Sequence, residues 1–378
     1  MKKTLLLLTL AFTSYNYAQN VNISDANFKN ALLAHGVTIT GSGISKIDTN
    51  DDGEIQVTEA IAYTGLVNVG SKNISSLTGI EAFVNIIRLY CSSNQLTSLD
   101  VSQNTALTHL VCSSNPLTSL DVTQNTALTH LDCAGNSLMS LDVSQNTALK
   151  DLRCHYNQLI SLDVTQNIAL TTLYCRSNQL TSLNVIQNTA LKDLSCQNNQ
   201  LTSLYVTQNT ALTVLECHHN QLITLDVSQN VALTQLECNN NQLINLNVAN
   251  GNNNNVAYLS ANNNPNLSCI QVDDVAYSAA SWVNKDTTAS YSTNCALSAN
   301  DFEFYKQVTI FPNPAKDHFQ VDLENSLELK AITVYNNLGQ QVATTNSSKV
   351  NTSSLSKGMY YVDIVTNAGK ANKKVIVE

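Results

Sequence analysis

The sequence predicts a mainly β protein: a parallel-β solenoid of about ten coils, with a small helical cap before it and an antiparallel β-sandwich after it. Three observations carry that prediction. Cys91, Cys112, Cys133, Cys154, Cys175, Cys196, Cys217 and Cys238 follow one another at intervals of 21 residues. Around each runs the pattern LxxLxCxxNxLxxLDVxxNxA, and units of such a fixed period bury their apolar faces against their neighbours. Beyond Cys295 the period stops, and short alternating apolar runs between Asn/Gly turns read as about seven antiparallel strands.

Alternation defines each coil. In L-x-C the leucine and cysteine point inward and the residue between them outward. LxxLDV repeats the arrangement, so a coil has two short extended segments and two turns. Leu107, Leu128, Leu149, Leu170, Leu191, Leu212 and Leu233 open successive units, and Ile86 opens the first. An asparagine stands three residues after each cysteine, from Asn94 to Asn241. It is no apolar filler; stacked amides can bond the backbone of adjacent turns. A ninth unit, from Val256, has Ala261 at the cysteine position after a two-residue insertion, and a diverged unit, LVNVGSKNISSLTGI, precedes the set.

These motifs resemble leucine-rich repeats. The 21-residue form with its second LxxLDVxxN half is similar to the bacterial class called IRREKO, over roughly residues 66–270. That resemblance implies a curved parallel-β solenoid without long helices. With stacked strands ~4.8 Å apart, the coils make a rod about 45 Å long.

An inward cysteine column reads as buried free thiols acting as small hydrophobes. In-register side chains on parallel strands hold their Cβ atoms farther apart than a disulfide prefers, although disulfides or metal along the ladder are alternatives. Cys269 and Cys295 lie outside the period and flank the only tryptophan, Trp282. A disulfide between them would pin a C-terminal cap over the last coil.

The matched core leaves the outward columns of the first strand unconstrained. Those columns hold Arg88, Tyr90, His109, His130, Asp132, Asp151, Arg153, His155, Tyr156, Tyr174, Arg176, Glu216, His218 and His219. Tyrosine, arginine and histidine suit recognition of a protein or glycan ligand, and a solvated face under drift is the plainer reading. His109, His130 and Asp151 share one column, so two imidazoles and a carboxylate could hold a transition metal. Asp100, Asp121, Asp142, Asp163 and Asp226 form a column whose like charges point to local turn bonding.

Before the coils, residues 48–59 read DTNDDGEIQVTE. Asp48, Asn50 and Asp52 stand at positions one, three and five, Gly53 at six, Glu54 (through its carbonyl) at seven, Gln56 at nine and Glu59 at twelve. The loop resembles an EF-hand calcium loop at every ligand position, which implies a structural Ca²⁺. An acidic turn without metal is the alternative. ISDANFKNALLAHG reads as a helix capped by Ser24 and ended by Gly36, and VTEAIAYTG as a short exiting helix. VTITGSGISKI separates the first helix from the loop, so a conventional entering helix is missing.

In the C-terminal segment, FPNP at residues 311–314, VYNNLGQQV from Val334 and LSKGMYYV from Leu355 resemble the type A sorting domain of type IX secretion. Lys316-Asp317 stand where that family usually has a glycine. The resemblance implies the type IX secretion machinery as a partner, export across an outer membrane, then removal of the domain with release or attachment at the cell surface. The start, MKKTLLLLTLAFTSYNYAQ, reads as a secretory signal peptide cleaved after Ala18, its apolar run being too short to span a bilayer.

The expected divisions are therefore a signal peptide at 1–18, an N-terminal cap at 19–65, the solenoid with its C-terminal cap at 66–297, and the sorting domain at 298–378. No later stretch is apolar and long enough to span. Loss of Lys2 and Lys3 takes the formal charge from −9 to −11, and an acidic chain without a basic block suits neither nucleic acid nor an anionic membrane. HExxH, GxSxG and glycine-rich phosphate loops are absent. His218 and His219 near Glu216 and Glu237 could form an acid–base set, but on an open face without a pocket. The sequence thus points to an exported binding scaffold rather than an enzyme, with a purely structural surface or biofilm component as the alternative.

Overall fold

The computed structural model describes residues 19–38, 41, 44–295, 308–324, 327–337, 339–367 and 370–378. The expected signal peptide and the solenoid–sandwich boundary at 297/298 lie outside the described residues. Each repeat forms a three-residue strand just before its cysteine, and these strands stack in one 11-stranded parallel sheet. Leu66–Asn68 begins it, Arg88–Tyr90 through Gln235–Glu237 continue it, and Tyr258–Ala261 and Asn284–Lys285 end it. Register is unbroken: Leu89 pairs with Leu110, Leu110 with Leu131 and Leu131 with Leu152. The eleventh strand exceeds the count the repeats suggest. It pairs through main chain with Ser260 and Ala261, which needs no leucine and so leaves no consensus.

The LxxLDV half pairs as a second ladder only at the C-terminal end, in Thr224–Asp226, Asn245–Asn247, Cys269–Gln271 and Ser290–Ser292. Elsewhere it is extended chain ending in a tight turn, as where Asn104 N donates to Val101 O at 3.0 Å. The aspartate column does bond its own turns: Asp100 accepts from Ser102 N and Asp142 from Ser144 N, both at 2.9 Å.

Leucine, valine and cysteine fill one continuous interior. All eight ladder cysteines are fully buried free thiols, and burial pushes those of Cys91, Cys133, Cys175 and Cys238 up to about 12. Two asparagine ladders flank this spine. In the first, Asn157 Nδ2 donates to Cys133 O (3.0 Å) and Cys154 O (3.1 Å), while its Oδ1 accepts from Leu138 N (3.0 Å). In the second, Asn167 Nδ2 donates to Val143 O and Asn146 O, both at 2.9 Å, but its buried Oδ1 meets no donor. Each ladder ties a coil to its predecessor; the first satisfies a backbone N–H and carbonyls that no helix or sheet reaches, the second adds donors to carbonyls alone.

At the N-terminal end the helix Ala26–Leu33 is capped by Asp25 rather than by the neighbouring Ser24. One Asp25 oxygen accepts from Phe28 N and the other from Ser75 N, so the same carboxylate caps the helix and anchors it to the first coil. The helix stops three residues before Gly36. At φ of +73°, with the Lys46 backbone against it, Gly36 has no room for a Cβ. At the other end Trp282 is buried, its Nε1 donating to Val256 O at 2.8 Å, and a Cys269–Cys295 disulfide closes the cap. The C-terminal segment has its own core around Phe319, Val334 and Ile364. Its seven strands make a three-stranded and a four-stranded antiparallel sheet. No helix among the described residues is long and apolar enough to cross a membrane.

Candidate ligand-binding face

Strand register sets the face. Arg88, His109, His130 and Asp151 lie in one row, continuing through Thr172 and Asp193. Tyr90, Val111, Asp132, Arg153 and Tyr174 lie in the other, continuing through Ser195, Glu216 and Glu237. The middle residue of each strand is a buried leucine, so both rows face out, most side chains being half-buried by their neighbours.

Three groups occupy this face. At its N-terminal end the rings of His109 and His130 stack, with Arg88 beside them. At its centre Arg153 reaches Asp151 through two bonds, Nε to Oδ1 at 3.0 Å and a terminal nitrogen to Oδ2 at 2.9 Å. The same guanidinium lies over the Tyr174 ring at 5.4 Å, Arg176 lies over Tyr156 at 5.5 Å, and His155 sits edge-on to both tyrosines. At the C-terminal end Glu216 accepts from Ser195 Oγ (2.6 Å) and Gln197 Nε2 (3.0 Å). Glu237 accepts from Gln235 Nε2 at 2.8 Å. His218 Nδ1 stands 3.5 Å from Glu237 Oε2, close enough for charge attraction but outside hydrogen-bond geometry. Burial lowers the pKa of His218 and His155; Glu237 opposes the shift at His218, and Arg176 reinforces it at His155.

The His109–His130–Asp151 metal set is not assembled, because Arg153 takes both oxygens of Asp151. Among the described residues no group of three or more His, Cys, Asp and Glu is arranged to hold a metal ion. In the EF-hand-like loop, Asn50, Asp52 and Gln56 do converge: both amides donate to Asp52 Oδ2, at 3.0 and 2.8 Å. Amide hydrogens thus occupy the space beside the carboxylate that a cation would take. Asp48 accepts from Asp51 N and Gly53 N, Glu59 from Thr49 N and Gln56 N, and the Glu54 side chain is held by Lys29. The donor chemistry fits calcium, but Asp48 and Glu59 would have to turn from loop amides toward the ion. Glu59 sits on the helix Val57–Ala62, which follows the loop as expected. A cleft of about 360 Å³ beside it, lined by Lys46, Thr49, Glu59 and Tyr63, is remote in sequence from the strand face.

One feature of the face was not anticipated. The residue two after each cysteine has a left-handed backbone: Ser93, Ser114, Gly135, Tyr156, Ser177, Asn198, His219 and Asn240, with φ between 52° and 64°. Tyr156 and His219 are bulky for that region. The turn projects both at the rim, where they are exposed. Gly135 and the asparagines in this column were the available signal.

The coil geometry defines the class of protein: a leucine-rich-repeat β-solenoid with a period of 21 residues. Residues 309–378 match the family described as Secretion system C-terminal sorting domain, so the solenoid carries the tail of a secreted or surface protein. A search of curated proteins finds no match. Among solved structures, the functional domain of InlJ from Listeria monocytogenes, described as including a cysteine ladder, is 22% identical. That match covers 95% of this chain and 98% of that one, with a TM-score of 0.32. A leucine-rich-repeat protein of Leptospira interrogans is 20% identical over 62% of this chain and 67% of its own, with a TM-score of 0.49. Internalin C2 of Listeria monocytogenes is 19% identical over 71% and 93%, with a TM-score of 0.39. With every TM-score below 0.5 these likenesses carry no argument, and the solenoid assignment stands on the strand register.

Proposed function

We propose that this is an exported binding scaffold that recognises a protein or glycan through its stacked-strand face. One observation carries the reading. In a stack whose interior repeats almost without change, Arg153, Tyr156, Tyr174 and Arg176 place two cation–aromatic pairs side by side on adjacent coils. Tyrosine supplies large contact area at low cost in side-chain entropy, and tyrosine and arginine are both enriched where interfaces are strongest. Asp193, Glu216 and Glu237 extend the face as an acidic flank, favouring a partner with cationic or hydroxyl-rich groups beside an apolar contact.

Export requires the signal peptide at 1–18, and the sorting domain at 298–378 is removed when the protein is released or attached at the surface; the N-terminal cap ends at 65, and the solenoid with its C-terminal cap at 297. The loop at 48–59 takes a structural Ca²⁺ through Asp48, Asn50, Asp52, Gln56 and Glu59 with the Glu54 carbonyl. A purely structural surface component would lack any dependence on the face. The discriminating experiment is a triple variant, Arg153→Ala, Tyr156→Ala and Tyr174→Ala, compared with wild type on glycan arrays and in adhesion to cells. Lost binding with an unchanged far-UV CD melt supports recognition; adhesion at the wild-type level with the fold intact sinks it.

A further inference from the structure

Glu216 and Glu237 occupy paired positions on adjacent parallel strands. Strands stack ~4.8 Å apart, and like charges directly opposite one another are destabilising. Among the described residues no lysine or arginine forms an ion pair with either carboxylate. His218 stands 3.5 Å from Glu237, but burial lowers its pKa and leaves it mostly neutral at pH 7. The fold nevertheless pins both carboxylates instead of letting them splay apart. Ser195 and Gln197, 4% and 6% exposed, place two donors on Glu216 Oε2, at 2.6 and 3.0 Å. Gln235 Nε2 donates to Glu237 Oε1 at 2.8 Å. On the far side Ser260, paired with Glu237, gives its hydrogen to Asn262 Oδ1 instead. Each carboxylate therefore keeps one oxygen, Glu216 Oε1 and Glu237 Oε2, that accepts no hydrogen bond among the described residues. Two polar atoms shielded from solvent accompany them. Gln197 turns its buried amide into the cluster, yet its Oε1 meets no donor, and His218 Nδ1 has no partner either.

We infer that Glu216 Oε1 and Glu237 Oε2 together clamp a primary ammonium group, the side chain of a lysine on a partner protein. A cation between the two carboxylates turns their repulsion into two attractions, which a sugar hydroxyl does not do. An ammonium is a compact charge with three donors, so it serves two oxygens from different side chains and keeps a third hydrogen for the unfilled acceptors behind them. Arginine's planar fork matches both oxygens of one carboxylate, and here each carboxylate has one oxygen taken. Ser195, Gln197 and Gln235 are positioning residues: they hold the carboxylates in place before the cation arrives, which lowers the ordering cost of binding. The inference rests on the reading of the strand face as a recognition surface, and within that reading it selects a protein over a glycan.

The test is saturation-transfer NMR on the full chain in metal-free buffer, with N-α-acetyl-lysine methylamide as the probe. Saturation should reach its ε-methylene protons most strongly, and the ε-acetylated probe, which carries no charge, should give no signal. Glu216→Gln and Glu237→Gln should each weaken binding of the amine roughly tenfold. Both substitutions keep the side chain's shape and an oxygen for its donors, and CD melts accompany each variant. A paired Asp100→Asn, Asp121→Asn variant removes as much charge as the two glutamine changes together and should leave the signal as in wild type. Equal binding of the ε-acetylated probe, or wild-type affinity in the double glutamine variant, overturns the inference. Saturation that survives in that variant but falls in Tyr174→Ala places the amine on the aromatic rings and overturns it too, as does Ca²⁺ that displaces the amine stoichiometrically, which would make the carboxylate pair a metal site. The adhesion assay on the aromatic centre does not use this probe, so a failed ammonium site leaves that reading standing, and a failed adhesion result is read separately.

Discussion

Asn157→Ala should destabilise the solenoid far more than Asn167→Ala, although both asparagines are buried and both repeat every 21 residues. Without Asn157, the buried Leu138 N loses its acceptor, and two donor bonds to Cys133 O and Cys154 O vanish. Those carbonyls keep donors from Asn136 at 2.9 Å and Asn178 at 3.1 Å, so only the amide is orphaned. An orphaned buried N–H costs ~1–3 kcal/mol and each lost bond ~0.5–1.5, giving about 4 kcal/mol in all. Removing Asn167 also breaks two bonds, but Val143 O and Asn146 O retain Asn146 N and Leu149 N. The same change deletes an Oδ1 with no donor, which returns ~1–3 kcal/mol, so the net effect lies within about 1 kcal/mol of zero. For a cooperative unit of roughly 150–250 residues, the range in which the solenoid falls, about 4 kcal/mol corresponds to a Tm lowered by roughly 8–16 °C. Differential scanning calorimetry and urea melts followed by CD give the comparison, and amide exchange at Leu138 localises it. Equal losses in the two variants, or the greater loss for Asn167→Ala, would refute the bonding account.

The ladder thiols should stay unmodified by a thiol reagent such as DTNB at pH 8 in the folded chain and react fully once unfolded, because burial suppresses the thiolate; labelling of folded protein would show an open spine. His35, His109, His155 and His218 all have folded pKa values below 6.5, chiefly from burial. The unfolded chain then binds more protons, so their contribution is present above pH 6.5 and fades as pH falls below it; a Tm unchanged from pH 7 to pH 5 would contradict this. If the N-terminal loop binds Ca²⁺ as extracellular sites do, with Kd near 10⁻⁴–10⁻³ M, 10 mM Ca²⁺ should stabilise by about 1.4–2.7 kcal/mol. That calorimetric shift should disappear in Asp52→Ala; a shift that persists removes the calcium assignment.

The repeat and its inward residues were legible because a solenoid makes the same local demand in every coil. Identical leucines, cysteines and asparagines must superpose, and a period can be read without coordinates. The outward rows followed from the same alternation, and register paired them as expected. Elements that use main chain alone were not legible: the strand Asn284–Lys285 pairs without a consensus, and Asp25 rather than Ser24 caps the first helix. Nor could the left-handed turn at Tyr156 be separated from ordinary variation at one position of the repeat.

The sequence by itself determined which residues share a row, since that depends only on period and alternation. Which of them touch was decided by the tertiary structure. Arg153 could have left Asp151 to the histidines; side-chain reach and the offset between the rows gave it to the guanidinium instead. Thr108 and Thr129, just before their strands, each meet a carbonyl of the preceding coil and the imidazole of the next residue: Ile87 O and His109 Nδ1 for the first, Thr108 O and His130 Nδ1 for the second. Hydrogen-bond donors are finite and directional, and their allocation exists only once the coils are stacked.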